Sequence, residues 1–304
     1  MKPGEIIEKI SLLLEKSGSV ARFVPVKHLK ELEGELAVKH KNGCFSEDFY
    51  NERLTSFKFE IPTTFIEAKS IIILAVPQPA VILLFRRNDI DQQVLIPPTY
   101  DYSSNTEMKK KLEDILIPEG FNLLTSFLPL KLLAVKSGLA DYGRNNLCYI
   151  PGRGSFFRLM AFYTDLFCLE HIWRQPVMMH KCLKCKACLI NCPLGAIDER
   201  RFLLQAERCL TFHNEHAGDF PAHIDKSFHH CLFGCLRCQV VCPENRKYLQ
   251  WMEMREQFSE LETLMILEGL PLDQIPASTR IKLDKLGLID DYPLLARNLG
   301  AVLS

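Results

Sequence analysis

The sequence predicts an α/β domain over residues 1–175, a cysteine-rich module over residues 176–248 and a small helical tail over residues 249–304. Nine of the 12 cysteines lie between Cys182 and Cys242, which marks the module. Upstream of it, segments with helical periodicity alternate with β-branched apolar runs, the pattern of a mixed α/β domain. With 47% hydrophobic and 24% charged residues, the chain has the balance of a folded globular protein.

The first predicted elements are a helix and two strands. In Pro3–Lys16, isoleucines and leucines recur at helical spacing. Residues 70–76 form a short, mostly β-branched apolar run that ends at Pro77, which predicts a buried strand. Residues 80–85 predict a second strand on the same grounds.

Three further segments complete the α/β domain. Residues 107–115 predict a polar helix. Residues 128–137 predict an apolar helix, with Gly138 as its C-terminal cap. Residues 156–167 are apolar and aromatic, and their pattern fits either a strand or a helix.

The charge balance and the N-terminal sequence indicate which partners and which cellular compartment to expect for this protein. Lys+Arg and Asp+Glu both number 37, so the chain lacks the basic excess of a general nucleic-acid or anionic-membrane binder. The most apolar stretch, residues 70–85, holds two prolines and is too short to cross a bilayer. Because the N-terminus has no charged-then-apolar signal region, we expect a cytoplasmic protein with no membrane partner. In that reducing compartment, clustered cysteines indicate metal binding or redox chemistry rather than disulfides.

The first cysteine motif has the spacing C-x2-C-x2-C-x3-C-P and runs from Cys182 to Pro193. This is the bacterial ferredoxin spacing for a [4Fe-4S] cluster, in which the fourth cysteine ligates a neighbouring cluster. A zinc site is the alternative, but it usually requires only two cysteine pairs. Four cysteines at this spacing, followed by proline, favour the iron–sulfur cluster.

The second motif repeats the last three positions of the first, but its leading position is Leu232 instead of cysteine. Either Cys209 or Cys231 could replace the missing ligand, and spacing alone leaves both open. The exchange of ligands in two-cluster ferredoxins then divides the cysteines into two sets. The first cluster takes Cys182, Cys185, Cys188 and Cys242, and the second takes Cys192, Cys235, Cys238 and one of Cys209 or Cys231.

Five histidines and three other cysteines are weaker candidates for cluster ligands. A histidine can replace a cysteine ligand in some clusters, but enough cysteines are present, so loop or surface roles are favoured. The histidines of this region are His213, His216, His223, His229 and His230. The isolated Cys44, Cys148 and Cys168 are expected to be small buried side chains.

The order of full motif, lone cysteine and shortened motif resembles the epoxyqueuosine reductases and their corrinoid-dependent relatives, the reductive dehalogenases. Residues 133–147 (LAVKSGLADYGRNNL) are also similar to the AGLG-x-x-G-[KR] segment of both families. The other similar segments are residues 149–155, 164–166, 182–193, 208–210, 233–245 and 295–300. The resemblance implies a cytoplasmic enzyme, a nitroreductase-like corrinoid-binding α/β domain, and Cys209 as the eighth cluster ligand.

The resemblance also implies a cobalamin beside the clusters. Glycines would let the backbone approach this bulky cofactor. The residues that correspond to the pocket are Gly138, Gly143, Arg144, Asn145 and Gly154.

One departure from the family concerns the proton donor. Epoxyqueuosine reductases carry an aspartate just before the AGLG segment, whereas the corresponding residues 123–126 here contain none. A reduction at a C–O bond requires an acid. Asp141 and Tyr142 are the substitutes that the sequence offers nearby, and surface roles are the alternative for both. The reductive dehalogenases use a tyrosine as proton donor, so the resemblance to them also implies Tyr100, Tyr102 and Tyr142 as candidates, with ordinary loop packing as the alternative.

The resulting hypothesis is an oxidoreductase with two [4Fe-4S] clusters and a cobalamin. Electrons would pass from a soluble ferredoxin or flavodoxin through the clusters to the corrinoid, which reduces a small-molecule or nucleoside substrate. No basic stripe for a tRNA backbone is evident, although a tRNA substrate stays open. The alternative is an electron-transfer protein that reduces the corrinoid of a partner protein, and a third reading is an N-terminal domain that has lost its corrinoid.

Overall fold

The computed structural model describes residues 1–100 and 102–304, which form two compact units. Unit 1 comprises Met1–Pro77, Ser104–Lys186 and Glu199–Leu204. Unit 2 comprises Gln78–Ser103, Ala187–Asp198 and Gln205–Ser304. In the part of the chain that the structure describes, no helix combines the length and apolar character needed to span a membrane.

The described chain contains both strands and helices, in runs of like elements as well as in alternation. The strands are β1 (Val20–Pro25), β2 (Ser70–Pro77), β3 (Ala80–Arg87), β4 (Ile90–Ile96), β5 (Leu123–Thr125), β6 (Asp141–Tyr142), β7 (Cys148–Tyr149), β8 (Phe157–Thr164) and β9 (Met252–Phe258). The α-helices are α1 (Pro3–Lys16), α2 (Leu29–Lys41), α3 (Glu47–Phe49), α4 (Ser103–Leu116), α5 (Leu130–Lys136), α6 (Ala187–Ile190), α7 (Leu210–Asn214), α8 (Arg237–Val240), α9 (Glu260–Leu267), α10 (Ala277–Lys285) and α11 (Tyr292–Val302).

Unit 1 is built on an antiparallel sheet in the order β1-β2-β8-β5. Alternate residues of β2 enter different cores: Ile71 and Ile73 pack with α2 and α5, whereas Ile72 and Leu74 pack with α1 and α4. Both faces of the strand are therefore covered. This explains why the sequence of β2 is continuously apolar instead of alternating.

Unit 2 contains a smaller sheet in the order β4-β3-β9. Strand β3 pairs antiparallel with β4 and parallel with β9, which lies in the C-terminal segment. Helices α9, α10 and α11 pack on this sheet around a core that includes Phe85, Phe258 and Leu299. The segment after residue 249 thus supplies a strand, which the sequence did not predict, as well as helices.

The predicted elements agree with the structure. Helix α1 and strands β2 and β3 are confirmed, and the ambiguous segment of residues 156–167 contains a strand, β8. The helix predicted at residues 128–137 is α5, and Gly138 follows it with a φ of +70°, as a C-terminal glycine cap requires. The mixed α/β class is also confirmed.

Candidate metal centres

The hairpin of β6 and β7 in unit 1 organises the chain that leads into the first cysteine motif. The backbone N–H of Tyr142 donates to the carbonyl of Val177 (3.1 Å), and the N–H of Met179 donates back to Tyr142 (2.8 Å). The N–H of Cys182 then donates to the carbonyl of Met179 (2.9 Å). The position of the first cysteine is therefore set by backbone pairing to the hairpin.

The side chain of Arg144, in the turn of this hairpin, binds the first motif directly. Its Nη2 donates to the carbonyl oxygens of Cys182 (2.7 Å) and Leu183 (3.4 Å), and its Nε donates to that of Cys185 (3.1 Å). Arg144 is only 9% exposed. A buried guanidinium thus spans the backbone between the first two cysteines of the motif.

Gly143 has no room for a side chain. A Cβ atom at this position would collide with the ring of Tyr149 and with Oδ1 of Asn145. Asn145 in turn donates from Nδ2 to the hydroxyl of Tyr149 (3.1 Å) and accepts from the N–H of Leu147 (3.3 Å). Close packing inside the hairpin, which brings Arg144 into place, therefore requires glycine here.

Asn146 connects the same turn to the chain that follows the motif. It has a φ of +55°, in the left-handed region that asparagine tolerates better than most residues. Its Nδ2 donates to the carbonyl of Phe202 (2.9 Å), and its Oδ1 accepts from the N–H of Leu204. One turn of unit 1 thus holds segments on both sides of the first motif.

Unit 2 contains the remaining seven cysteines of the module. Helix α6 carries Cys188 and ends just before Cys192, and helix α8 carries Cys238 one turn after Cys235. The two short helices contact each other, as expected from the repeated motif. The Sγ atom of Cys192 accepts a hydrogen bond from the N–H of Ala196 (3.3 Å).

Three thiols predicted for the second cluster are neighbours in unit 2. Burial raises the pKa of Cys235 to about 12, and the thiols of Cys209 and Cys192 act in the same direction. Because cluster ligation requires thiolates, iron binding must displace the protons that these thiols carry at neutral pH. Among the described residues, no three Cys, His, Asp or Glu side chains converge as they would around a single metal ion.

The structure distinguishes the two candidates for the eighth ligand. Cys209 is partly exposed and precedes α7, with its thiol near that of Cys235. Cys231 is 1% exposed and packs with Ala80 and Leu236. Burial raises the pKa of Cys231 well above its ordinary value. These surroundings favour Cys209 as the ligand.

Tyr100 and Glu215 adjoin the second site, and sequence analysis did not single out Glu215. A Cβ on Gly234, which has a φ of +66°, would collide with the ring of Tyr100. The Tyr100 hydroxyl donates to Oε1 of Glu215. Burial, followed by the charge of Glu215, raises the pKa of Tyr100 well above its ordinary value, and the Cys209 thiol contributes in the same direction. A partly buried tyrosine–glutamate pair thus borders this site.

Two buried asparagines link the cysteine segments to the C-terminal helix. Asn214 donates to the carbonyl of Gly234 (2.9 Å), next to Cys235. Asn298 on α11 donates to the carbonyls of Asn214 (2.8 Å) and Leu232 (2.9 Å). Sequence reasoning missed both roles, since only the similarity of residues 295–300 to the family pointed to this helix.

The histidines have mainly structural partners. His230 accepts the N–H of Leu236 at Nε2 (3.1 Å), and its Nδ1 lies 3.1 Å from the carbonyl of Phe228. Burial lowers the pKa of His229 to about 4. His213 and His223 line an open cleft of about 420 Å³. The other residues that line this cleft are Leu194, Glu207 and Arg208.

The other three candidate proton donors, besides Tyr100, occupy different surroundings. Asp141 pairs with Arg174 at 2.5 Å. Tyr142 is buried in unit 1, where its ring meets the edge of Phe202, and burial raises its pKa well above the ordinary value. Tyr102 belongs to unit 2, is 42% exposed and packs against Gly287.

A sequence profile of the 4Fe-4S double cluster binding domain family matches residues 181–245. The chain therefore contains the binding domain for two [4Fe-4S] clusters. The matched region includes the eight cysteines assigned to the clusters. They are Cys182, Cys185, Cys188, Cys192, Cys209, Cys235, Cys238 and Cys242.

Curated relatives named epoxyqueuosine reductase are similar over about half of the chain. The relative from Francisella cf. novicida is 31% identical over 148 residues, which cover 45% of this chain and 40% of the relative. The relative from Escherichia coli is 35% identical over 141 residues, which cover 46% of this chain and 35% of the relative. The chain thus matches well under two thirds of the length of these relatives.

Solved epoxyqueuosine reductases share the fold. The structure from Bacillus subtilis, described with its catalytic aspartate loop swung out of the active site, has a TM-score of 0.68 at 21% identity. The match covers 99% of this chain and 82% of that one. A second structure, with a tRNA-Tyr epoxyqueuosine-modified tRNA stem loop, has a TM-score of 0.68 at 20% identity and the same coverage. The chain therefore resembles the epoxyqueuosine reductases in fold and in its double-cluster domain.

Proposed function

We propose that the chain is an iron–sulfur oxidoreductase, resembling epoxyqueuosine reductase, that carries electrons singly from a soluble donor to a reducible acceptor. The double-cluster domain supports this proposal, with the thiols of Cys192, Cys209 and Cys235 gathered in one unit. Each bound cluster supplies one-electron redox chemistry at a potential set by burial, charge and hydrogen bonds. A ferredoxin or flavodoxin is the donor expected for such a chain.

The residues of this chain define how the clusters are held. Backbone pairing fixes the segment before Cys182, and the N–H of Ala196 donates to the sulfur of Cys192. Hydrogen bonds to cluster sulfurs favour the more negative, reduced state, so they raise the potential. Partial burial of Cys235 lowers the polarity of the surroundings at the second site.

A corrinoid is the acceptor that the resemblance implies, but four of the five predicted pocket residues are engaged in contacts within unit 1. The Cα of Gly143 faces Tyr149, and Gly138 lies against Ile172. Arg144 and Asn145 direct their donors to partners in unit 1. These contacts support assigning the acceptor to a partner protein that carries a corrinoid or another reducible centre.

Substrate reduction by the chain itself is the second candidate, and the fold match over 99% of its length favours it. One relative with this fold has been solved with a modified tRNA stem loop, so a nucleoside in tRNA is the substrate to test. The family aspartate corresponds to residues 123–126, and the first three of these form strand β5. Among the substitutes, Tyr102 is the exposed one, which makes it the donor to test first.

Anaerobic reconstitution with iron, sulfide and cobalamin separates the candidates. Iron, sulfide and cobalt are then measured, and the reduced protein is mixed with an epoxyqueuosine-containing stem loop or with a corrinoid protein. About eight irons, no cobalt and reduction of the corrinoid protein support the first proposal, because two cubanes hold eight irons. One bound cobalt with conversion of the stem loop supports the second. Zinc alone, or about four irons, contradicts both.

A further inference from the structure

We propose that Arg144 is a positioning residue of the first cluster and that its charge raises the reduction potential of that cluster. The resemblance had suggested a cofactor pocket for this residue, but the structure places its guanidinium on the backbone of the first cysteine motif. The inference concerns the cluster alone. It does not depend on the proposed acceptor, so either idea can fail without the other.

The positioning role follows from the hydrogen bonds of Arg144. Its Nη2 reaches the carbonyls of Cys182 and Leu183, and its Nε reaches that of Cys185. The rigid guanidinium fork therefore fixes the backbone at the first two ligands of the cluster. Lysine has a single rotatable ammonium and cannot reproduce this three-carbonyl arrangement.

The effect on potential follows from charge and burial. A guanidinium keeps its positive charge in proteins. At 9% exposure, Arg144 is weakly screened by solvent, so its charge acts strongly on neighbouring charges. Reduction adds one electron to the cluster from an external reductant, and no bond of Arg144 forms or breaks. A nearby cation stabilises the added negative charge and raises the potential.

The test uses Arg144→Gln and Arg144→Lys in the full-length protein reconstituted with iron and sulfide, without substrate or cobalamin. Iron content and the midpoint potential of each cluster are measured by redox titration followed by electron paramagnetic resonance. Arg153→Gln is the matched control, because Arg153 also lies in unit 1 and donates to a backbone carbonyl, that of Gly18 (2.7 Å). The hydrogen bond described for Arg153 joins it to Gly18, which lies away from the cysteine motif in sequence.

In Arg144→Gln we expect one midpoint potential to fall and the other to stay at the wild-type value. Arg144→Lys keeps the charge, so its potentials should stay near wild type while iron is lost faster on gel filtration. Unchanged potentials in a fully loaded Arg144→Gln protein overturn the charge effect. If Arg144→Gln loses the first cluster, the Arg144→Lys variant tests the charge effect instead. A lower midpoint potential of the first cluster in Arg144→Lys, which keeps the positive charge, overturns the charge effect. Full iron retention in both variants overturns the positioning role.

Discussion

The side-chain amide of Asn298, on the last helix, donates a 2.8 Å hydrogen bond to the carbonyl oxygen of Asn214, which ends the helix after Cys209. The same amide also reaches the carbonyl of Leu232, just before the second cysteine motif. Asn298 is 1% exposed, so water cannot replace these bonds. One C-terminal side chain therefore ties together the two segments that supply Cys209 and Cys235.

We expect Asn298→Ala to weaken the second cluster site. The substitution leaves the buried carbonyl of Leu232 without its donor, at a cost of about 1–3 kcal/mol. The carbonyl of Asn214 keeps only the longer bond from Nη2 of Arg297 (3.4 Å). Thermal unfolding and iron retention after anaerobic gel filtration measure the effect. The exposed Asn51→Ala serves as the control. If Asn298→Ala matches that control in both measurements, the tail does not stabilise the site.

We expect Gly234→Ala to reduce iron loading of the second site. The alanine Cβ would collide with the ring of Tyr100 and would also strain a backbone with a φ of +66°. Strain of this kind costs about 1–3 kcal/mol. Gly218→Ala is the control, because Gly218 has a φ of +87° but nothing within 4 Å of its added Cβ. The difference between the two variants isolates the collision, and Gly234→Ala combined with Tyr100→Ala should recover part of the lost iron.

We expect Cys209→Ser and Cys231→Ser to differ in iron content. Cys209→Ser should lower iron from about eight to about four per chain, because it removes a ligand of one cubane. Cys231→Ser should keep about eight irons and lose only stability, since it places a hydroxyl among apolar side chains. The reverse pattern would make Cys231 the ligand.

We expect acid to destabilise the protein through His229. Burial lowers its pKa to about 4, from 6.5 in the unfolded chain. Between these values the unfolded state binds more protons, so stability falls as the pH falls from about 6.5 to 4. The loss is up to about 3 kcal/mol, at about 1.4 kcal/mol per unit of pKa shift. Denaturation midpoints at pH 7 and pH 5 should differ less in His229→Gln than in wild type. Equal differences would assign the acid sensitivity to other groups.

Local sequence patterns predicted features whose causes are local. The continuous apolar run of β2 reflects burial of alternate residues, such as Ile71 and Ile72, on two faces of one sheet. The cysteine spacing likewise follows from short-range ligand geometry. Strand β8 was ambiguous, because a short apolar run has the same composition in a buried strand and in a buried helix.

Features that depend on distant parts of the chain could not be predicted. The contacts of Arg144 with Cys182 and Cys185 join residues about 40 positions apart. The bond from Asn298 to Asn214 spans 84 positions. No periodicity records such pairs, so the contacts of Arg144 with the cysteine motif and the role of Asn298 were not predicted.

The parallel pairing of β3 with β9 has a consequence for biosynthesis. A ribosome makes β3 early, but its partner strand begins only at Met252. Strand β4, which pairs with β3, bonds through Leu95 to the backbone of Leu232, beside the second motif. The sheet behind this site therefore cannot be completed on a nascent chain that stops before β9. Assembly of the second cluster in its finished site must therefore follow translation of β9, long after the first cysteine motif has been made.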